Sequence, residues 1–280
     1  ATAAEAPTGN YTAIAKVADN YFDTVLKVEN ILPNRLKIDL TLPHVFTREG
    51  AAAELVSNWL SGASAEGLKA DVEMKLRAGA TEFDGLQGFV FDDATRAFNP
   101  QKAMVWQGQL GPLGDAQFTL APELNATAPG VLKALFILRV FEPSGQFSTQ
   151  FKEVPFYPFD SYVGLALPKE FKDSPLSDHQ TMNVRAVMVD TAGTKLTSRE
   201  LAIKLVKVRW SWWWDEEDSD YNYASDYEAK EVSNFTVTTD QSGFADIPVK
   251  ADDYEHGRYR LIACDKSAED AHCSSQVFYI

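Results

Sequence analysis

Apolar and polar residues alternate at period two along much of this chain. Leucine and isoleucine occupy every second position between Leu36 and Leu42, with polar residues between them. This spacing is typical of a β-strand with one buried face. Similar short strands follow turns built from glycine with Asp or Ser, as at 113–120 and 241–247. The pattern predicts an all-β fold.

One hairpin motif occurs three times. Each copy begins with a glycine, continues into a strand rich in aromatic or aliphatic residues, and turns into a second strand; the copies start at Gly9, Gly130 and Gly257. They lie about 120 to 130 residues apart, which is the length of one small domain, so the spacing indicates a tandem repeat. The first copy has nothing before it, and we expect the chain to be a window from a longer array.

The exit strand of each of the first two hairpins leads to a proline and then to a new opening strand. This order places domain boundaries near Ile31 and Phe159. We therefore predict three parts: 1–30 as the closing hairpin of a preceding domain, and 31–158 and 159–280 as complete domains. At 45% hydrophobic residues, 280 residues provide enough apolar side chains for two cores.

The net charge of −14 excludes the usual electrostatic basis for binding nucleic acid or an anionic membrane. No apolar run approaches the roughly 20 residues that span a bilayer. Neither a phosphate-binding loop, a serine-nucleophile elbow nor a His-Glu-x-x-His motif is present. The acidic run 215–220 lacks the glycine and terminal glutamate of a calcium loop. We predict no catalytic residue, no cofactor and no metal site.

The two cysteines, Cys264 and Cys273, fall late in one strand of the last hairpin and early in the next. Folding of that hairpin brings them opposite one another, which favours a disulfide and an oxidising compartment. Free thiols and a metal site are the alternatives, although His256 and His272 do not supply metal-ligand spacing.

Residues 52–60 satisfy two patterns. Ala52, Leu55, Val56, Trp59 and Leu60 follow the spacing of an amphipathic helix, yet alternate positions also line one face of a strand. The periodicity by itself favours the helix.

Three stretches carry a resemblance to a known family. They are 59–73, with a loop of small residues between two strands, 136–168, with the hairpin and the two prolines that follow it, and the tryptophan-rich 208–215. In these the chain resembles consecutive macroglobulin-like domains of the bacterial alpha-2-macroglobulins, the fifth and sixth by position. Ser64 stands where the family's loop usually has proline. The resemblance implies tandem seven-stranded antiparallel β-sandwiches of fibronectin or Ig-like type, and it makes 52–60 a strand.

The family is implied to trap attacking peptidases after cleavage of a bait region, in some members with an internal thioester. A thioester needs Cys followed two residues later by Glu-Gln, and neither cysteine fits. No segment from Ile31 onward resembles a bait. The resemblance therefore implies a non-enzymatic scaffold segment whose partners are neighbouring domains and, through the intact protein, target peptidases. It also implies a periplasmic or cell-envelope location and allows a lipid anchor on an N-terminus that this chain lacks.

The tryptophan cluster supports a different class of function as the alternative. Alternation places Trp210, Trp212 and Trp214 on one face of a strand and Trp213 on the other. Buried, these rings would form a packing or interface cluster beside a loop over Asp215–Asp226. Exposed, they would form the sugar-binding platform of an Ig-like carbohydrate-binding or adhesin module.

Overall fold

The computed structural model describes residues 9–17, 20–28, 34–43, 45–124, 128–172, 174–213, 224–267 and 271–280. The regular secondary structure in these ranges is almost entirely β-strand, with two single-turn 3₁₀ helices at Lys169–Phe171 and Ala251–Asp253. Within them no helix is long and apolar enough to cross a bilayer. The first two strands, β1 (Gly9–Val17) and β2 (Asn20–Val28), form an antiparallel hairpin.

The first sandwich packs a three-stranded sheet against a five-stranded sheet. The smaller sheet has the order β3-β5-β8 and the larger β4-β10-β9-β6-β7. Only the pairing of the two-residue β4 with β10 is parallel among these ladders. The strands are β3 (Leu36–Thr41), β4 (Phe46–Thr47), β5 (Ala51–Trp59), β6 (Lys69–Ala78), β7 (Gln101–Gln109), β8 (Asp115–Leu120), β9 (Leu132–Phe141) and β10 (Phe147–Tyr157).

The second sandwich is seven-stranded, with sheets in the orders β11-β12-β15 and β14-β13-β16-β17. All of its ladders are antiparallel. The strands are β11 (Ser161–Ala166), β12 (Thr181–Asp190), β13 (Glu200–Trp213), β14 (Ala224–Thr238), β15 (Phe244–Lys250), β16 (Arg258–Asp265) and β17 (Cys273–Tyr279). The predicted fold class, tandem antiparallel β-sandwiches, is confirmed.

Residues 51–59 form strand β5, as the family resemblance implied and against their helical spacing. The strand lies between β3 and β8 and pairs with both. Ala53, Leu55 and Ser57 are buried, whereas the residues between them are partly exposed. Pairing on both edges and burial of one face outweigh a local preference of less than about 1 kcal/mol per residue.

The two hydrophobic cores do not divide at the point where the chain passes from one sandwich to the other. The core of the first sandwich also contains four side chains from the second sandwich and the linker before it: Phe159, Tyr162, Val187 and Val189. The second core lies wholly within the second sandwich. The first sandwich therefore depends on its neighbour for part of its apolar interior.

The assignment of 51–59 to a strand predicts unequal effects of two adjacent substitutions. Leu55 is fully buried and Val56 faces the other side of β5. We expect Leu55→Ala to lower the free energy of unfolding by about 2–5 kcal/mol and Val56→Ala by about 1 kcal/mol or less. Urea denaturation of both variants measures the difference. Equal losses would indicate the helical arrangement, in which the two residues share a face.

Candidate functional site at the seam between the sandwiches

A very short linker holds the two sandwiches together. Strand β10 ends at Tyr157 and β11 begins at Ser161, so only residues 158–160 connect them. The first of these residues is Pro158, whose ring fixes its own backbone φ angle. Such a connection keeps the facing ends of the two sandwiches in contact, and we call that contact surface the seam.

A long loop of the first sandwich pairs with the outer edge of β11 in the second sandwich. This seam loop, residues 79–100, connects β6 to β7. The Val90 N–H donates to the Leu165 carbonyl at 2.8 Å, and the Leu165 N–H donates back to the Val90 carbonyl at 2.9 Å. Ser274 Oγ donates to the same Val90 carbonyl at 2.7 Å. Because β11 lies at the edge of its sheet, these bonds satisfy backbone groups that would otherwise be free.

Phe91 occupies a space that only glycine leaves open. Its ring is 1% exposed and lies against Gly164 in β11, where a Cβ atom would approach Cε1 of Phe91 to 2.6 Å. Phe83 meets Phe91 edge-on with centroids 4.9 Å apart, and it meets Tyr162 at 5.5 Å. Aromatic pairs in this geometry add about 0.5–1.5 kcal/mol each beyond the area they bury. The seam is therefore a close-packed aromatic core.

A second aromatic contact lies at the side of the seam. Phe89 stacks on Phe244 with centroids 5.9 Å apart, and the guanidinium of Arg185 lies 4.0 Å from the centre of the Phe244 ring. The ammonium of Lys195 lies 4.4 Å from the same ring. Two cations thus flank one ring. Each such cation–π contact contributes about 0.5–1 kcal/mol at an exposed site.

The seam loop is fixed by its own sandwich before it meets the neighbour. Thr81 Oγ1 donates to Asp92 Oδ1 at 2.6 Å and accepts the Val131 N–H at 2.7 Å. The Asp93 N–H donates to the Pro129 carbonyl at 2.8 Å, and Asp93 also pairs with Arg96. The loop is thus held in the binding conformation, so less conformational entropy is lost when the seam forms.

His272 is fully buried at the centre of the seam. Its Nδ1 accepts the Val163 N–H at 2.9 Å, and its ring lies 4.8 Å from Tyr162 and 5.1 Å from Phe159. Burial, aided by the charge of Arg96, lowers the pKa of His272 to about 3. The Phe91 backbone acts in the opposite direction and raises the pKa of His272 by a smaller amount. Among the described residues, Nε2 has no partner in hydrogen-bond geometry. Burial also raises the pKa of Tyr162. Both rings are therefore uncharged at neutral pH.

The predicted cysteine pair lies beside the seam. Cys264 and Cys273 are directly opposite in the β16–β17 ladder, with Cα atoms 4.0 Å apart, and they are joined by a disulfide. Arg96 of the seam loop donates from Nη2 to Cys273 Sγ at 3.4 Å. The bond thus closes the hairpin that carries His272. Alkylation of the unreduced, unfolded protein checks this disulfide, and both cysteines should remain unmodified.

The predicted tryptophan cluster lies outside what the structure describes. The backbone of β13 includes Trp210, Trp212 and Trp213, but their side chains and the whole of Trp214 are beyond the described part of the chain. The predicted loop is wrong at its end, because β14 begins at Ala224. Residues 224–226 pair with 213–211 across an extended ladder.

Sequence reasoning missed the residues that form the seam. The available signal in the sequence was the loss of alternation in the apolar runs at 162–165 and 186–189. In the structure, residues 161–165 and 186–189 are buried at every position. A strand buried on both faces has a second packing partner besides its own core. Gly164 inside a strand was a further sign of close approach. Among the described residues, no group of three or more His, Cys, Asp or Glu is arranged to hold a metal ion.

The fit of Phe91 against Gly164 makes a testable prediction. We expect Gly164→Ala to lower the free energy of unfolding by about 1–3 kcal/mol, because the added methyl group overpacks the seam. Gly88→Ala is the matched control, since a Cβ there meets nothing within 4 Å. The free energy of unfolding is measured by denaturation of both single variants and of the double variant Gly164→Ala with Phe91→Leu. A penalty that persists unchanged in the double variant would contradict the proposed contact.

The buried His272 predicts a stability that falls with acid. The folded protein keeps the ring neutral down to about pH 3, whereas the unfolded chain protonates it below about 6.5. The contribution of neutral His272 to the free energy of unfolding is complete above about pH 6.5. Between about pH 6.5 and pH 3 it decreases by up to about 1.4 kcal/mol per pH unit. His272→Asn keeps an acceptor near the Nδ1 position and removes the titration. Urea denaturation at pH 7, 6 and 5 should give a shallower slope for the variant, and equal slopes would refute the prediction.

Two family models match consecutive parts of the chain. The family model of the bacterial Alpha-2-macroglobulin MG5 domain matches residues 34–158, and that of bacterial macroglobulin domain 6 matches residues 166–280. A search of curated proteins gave no match.

Solved structures share the fold. Native E. coli alpha-2-macroglobulin is 21% identical with a TM-score of 0.62, over 98% of this chain and 18% of that one. The E. coli protein activated by porcine elastase is 22% identical with a TM-score of 0.64, over 97% and 24%. Salmonella alpha-2-macroglobulin reacted with methylamine is 20% identical with a TM-score of 0.60, over 98% and 18%.

The chain thus spans about a fifth of the length of these solved structures. The two family models follow one another in order and together match most of its residues. On these matches, the chain belongs to the bacterial alpha-2-macroglobulin family.

Proposed function

We propose that this chain is a scaffold segment of a peptidase-trapping protein, in which its two sandwiches move as one body. The seam is the observation that carries the proposal. A rotation between the sandwiches would break the Val90–Leu165 hydrogen bonds and withdraw Phe91 from Gly164. A trap that changes shape after bait cleavage needs rigid parts that transmit the motion, with rearrangement at other joints.

The proposal includes the organisation of the chain. Residues 1–30 are the closing hairpin of a preceding macroglobulin-like domain, and 31–158 and 159–280 are the two following domains. Its partners are the neighbouring domains of a longer polypeptide and, through the intact protein, the attacking peptidase. The segment performs no catalysis itself. We place it in the periplasm or cell envelope, where a Cys264–Cys273 disulfide persists.

A comparison of the isolated chain with the intact protein tests this function. A broad-specificity peptidase is mixed with either one, and hydrolysis of a large protein substrate and of a small peptide substrate is followed. We expect the intact protein to suppress cleavage of the large substrate only, because a trapped peptidase stays accessible to small molecules. The chain alone should suppress neither.

Two results would overturn the assignment. Stoichiometric inhibition by the chain alone would show that it contains a complete trap. Saturable binding of the chain to a glycan array, lost in Trp212→Ala, would establish the carbohydrate-binding alternative in place of the scaffold.

A further inference from the structure

The outer face of the five-stranded sheet carries several large, exposed apolar side chains. This face points away from the first core and is formed by alternate residues of β6, β7, β9 and β10. Phe147 is 54% exposed, Phe151 58% and Met104 51%. Phe151 lies opposite Ile137, and Phe147 lies opposite Phe141 with ring centroids 5.6 Å apart. The Thr149–Arg139 pair lies between these two apolar pairs, and Glu73 lies between Ile137 and Met104. Large apolar side chains exposed together on one face mark interaction surfaces.

The same face is basic within an acidic protein. Six cationic residues share it with three carboxylates, which leaves an excess of three positive charges on a chain whose net charge is −14. The cations are Lys69, Lys75, Arg77, Lys102, Lys133 and Arg139, and the acids are Asp71, Glu73 and Glu153. The distribution of charge thus separates this face from the rest of the surface.

The carboxylates at the centre of the face are already neutralised. Asp71 is 7% and Glu73 6% exposed, although both point away from the core. Arg139 Nε lies 2.7 Å from Asp71 Oδ1 and Nη2 lies 3.6 Å from Glu73 Oε2, while Lys102 Nζ lies 2.9 Å from Glu73 Oε2. This network fixes the guanidinium in place and leaves no free anion at the centre to repel an acidic partner.

Two lysines beside this network have no acidic partner among the residues that the structure describes. Lys69 and Lys75 are exposed on β6, and neither forms an ion pair within the described part of the chain. Lys69 also lines a groove of about 490 Å³ together with Gln107, Gln109 and Phe141. The face therefore combines exposed aromatic rings, a methionine and a fixed arginine, which are residue types enriched at protein interfaces. Its two unpaired lysines favour a partner of opposite charge.

We propose that this outer face docks an acidic surface of another domain of the same longer polypeptide. That surface would bring carboxylates opposite Lys69 and Lys75 and apolar side chains opposite Phe147 and Phe151. The inference rests on the proposed function, in which the chain is one segment of a larger protein. An anionic membrane is the less favourable occupant, because the remaining charge of the chain would be repelled from it.

Lysine reactivity in the intact protein tests the docking. Acylation rates of Lys69 and Lys75 are measured by mass spectrometry against Lys37 and Lys250, which are exposed on other strands. We expect Lys69 and Lys75 to react about tenfold more slowly than these references, since an ammonium ion paired in an interface is withheld from the reagent. Carbodiimide coupling should then join Lys69 or Lys75 to Asp or Glu residues of the intact protein outside these 280 residues.

The double variant Phe147→Ser with Phe151→Ser should restore the reactivity of both lysines. Leu60→Ser with Leu113→Ser is the matched control, because these leucines are 71% and 76% exposed away from this face. Lys69 and Lys75 reacting as fast as Lys37 would overturn the docking, and so would protection that appears only with anionic lipid vesicles. Peptidase inhibition measured in parallel separates the two proposals: protected lysines without inhibition refute only the trapping function.

Discussion

The structure depends on how a free sheet edge is completed. Strand β11 begins the second sandwich and lies at the edge of its sheet, so its outer backbone groups have no strand partner there. Val90 of the first sandwich supplies one with two hydrogen bonds to Leu165. An unpaired buried backbone group costs about 1–3 kcal/mol. The aromatic core can therefore form around this contact without leaving those groups unsatisfied.

Steric fit makes this contact specific. Phe91 follows Val90 in the chain, so fixing Val90 on Leu165 directs Phe91 toward the neighbouring Gly164. At the same outer edge of β11, His272 accepts the Val163 N–H. Three consecutive residues of β11 are thus each contacted by a different kind of group: a ring nitrogen, an aromatic ring and a backbone strand. Burial of His272 and the charge of Arg96 keep the ring neutral, so that nitrogen remains an acceptor.

The sequence predicts the sandwiches better than the seam, for physical reasons. Alternation from Leu36 to Leu42 reports burial of one face, and this is a local property that a single segment reveals. The helical spacing of 52–60 misleads because pairing with β3 and β8 is non-local. Tyr162 meets Phe83 only where the two sandwiches are in contact. These two residues lie far apart in the chain, so no local pattern joins them.

The sharing of side chains between the cores bears on what counts as a domain here. Phe159, Tyr162, Val187 and Val189 belong by sequence to the second sandwich and its linker, yet they complete the core of the first. A cut after Pro158 would leave the first sandwich with an open apolar cavity at one end. The chain therefore passes from one sandwich to the next without dividing the apolar interior. The first core is complete only when both sandwiches are present.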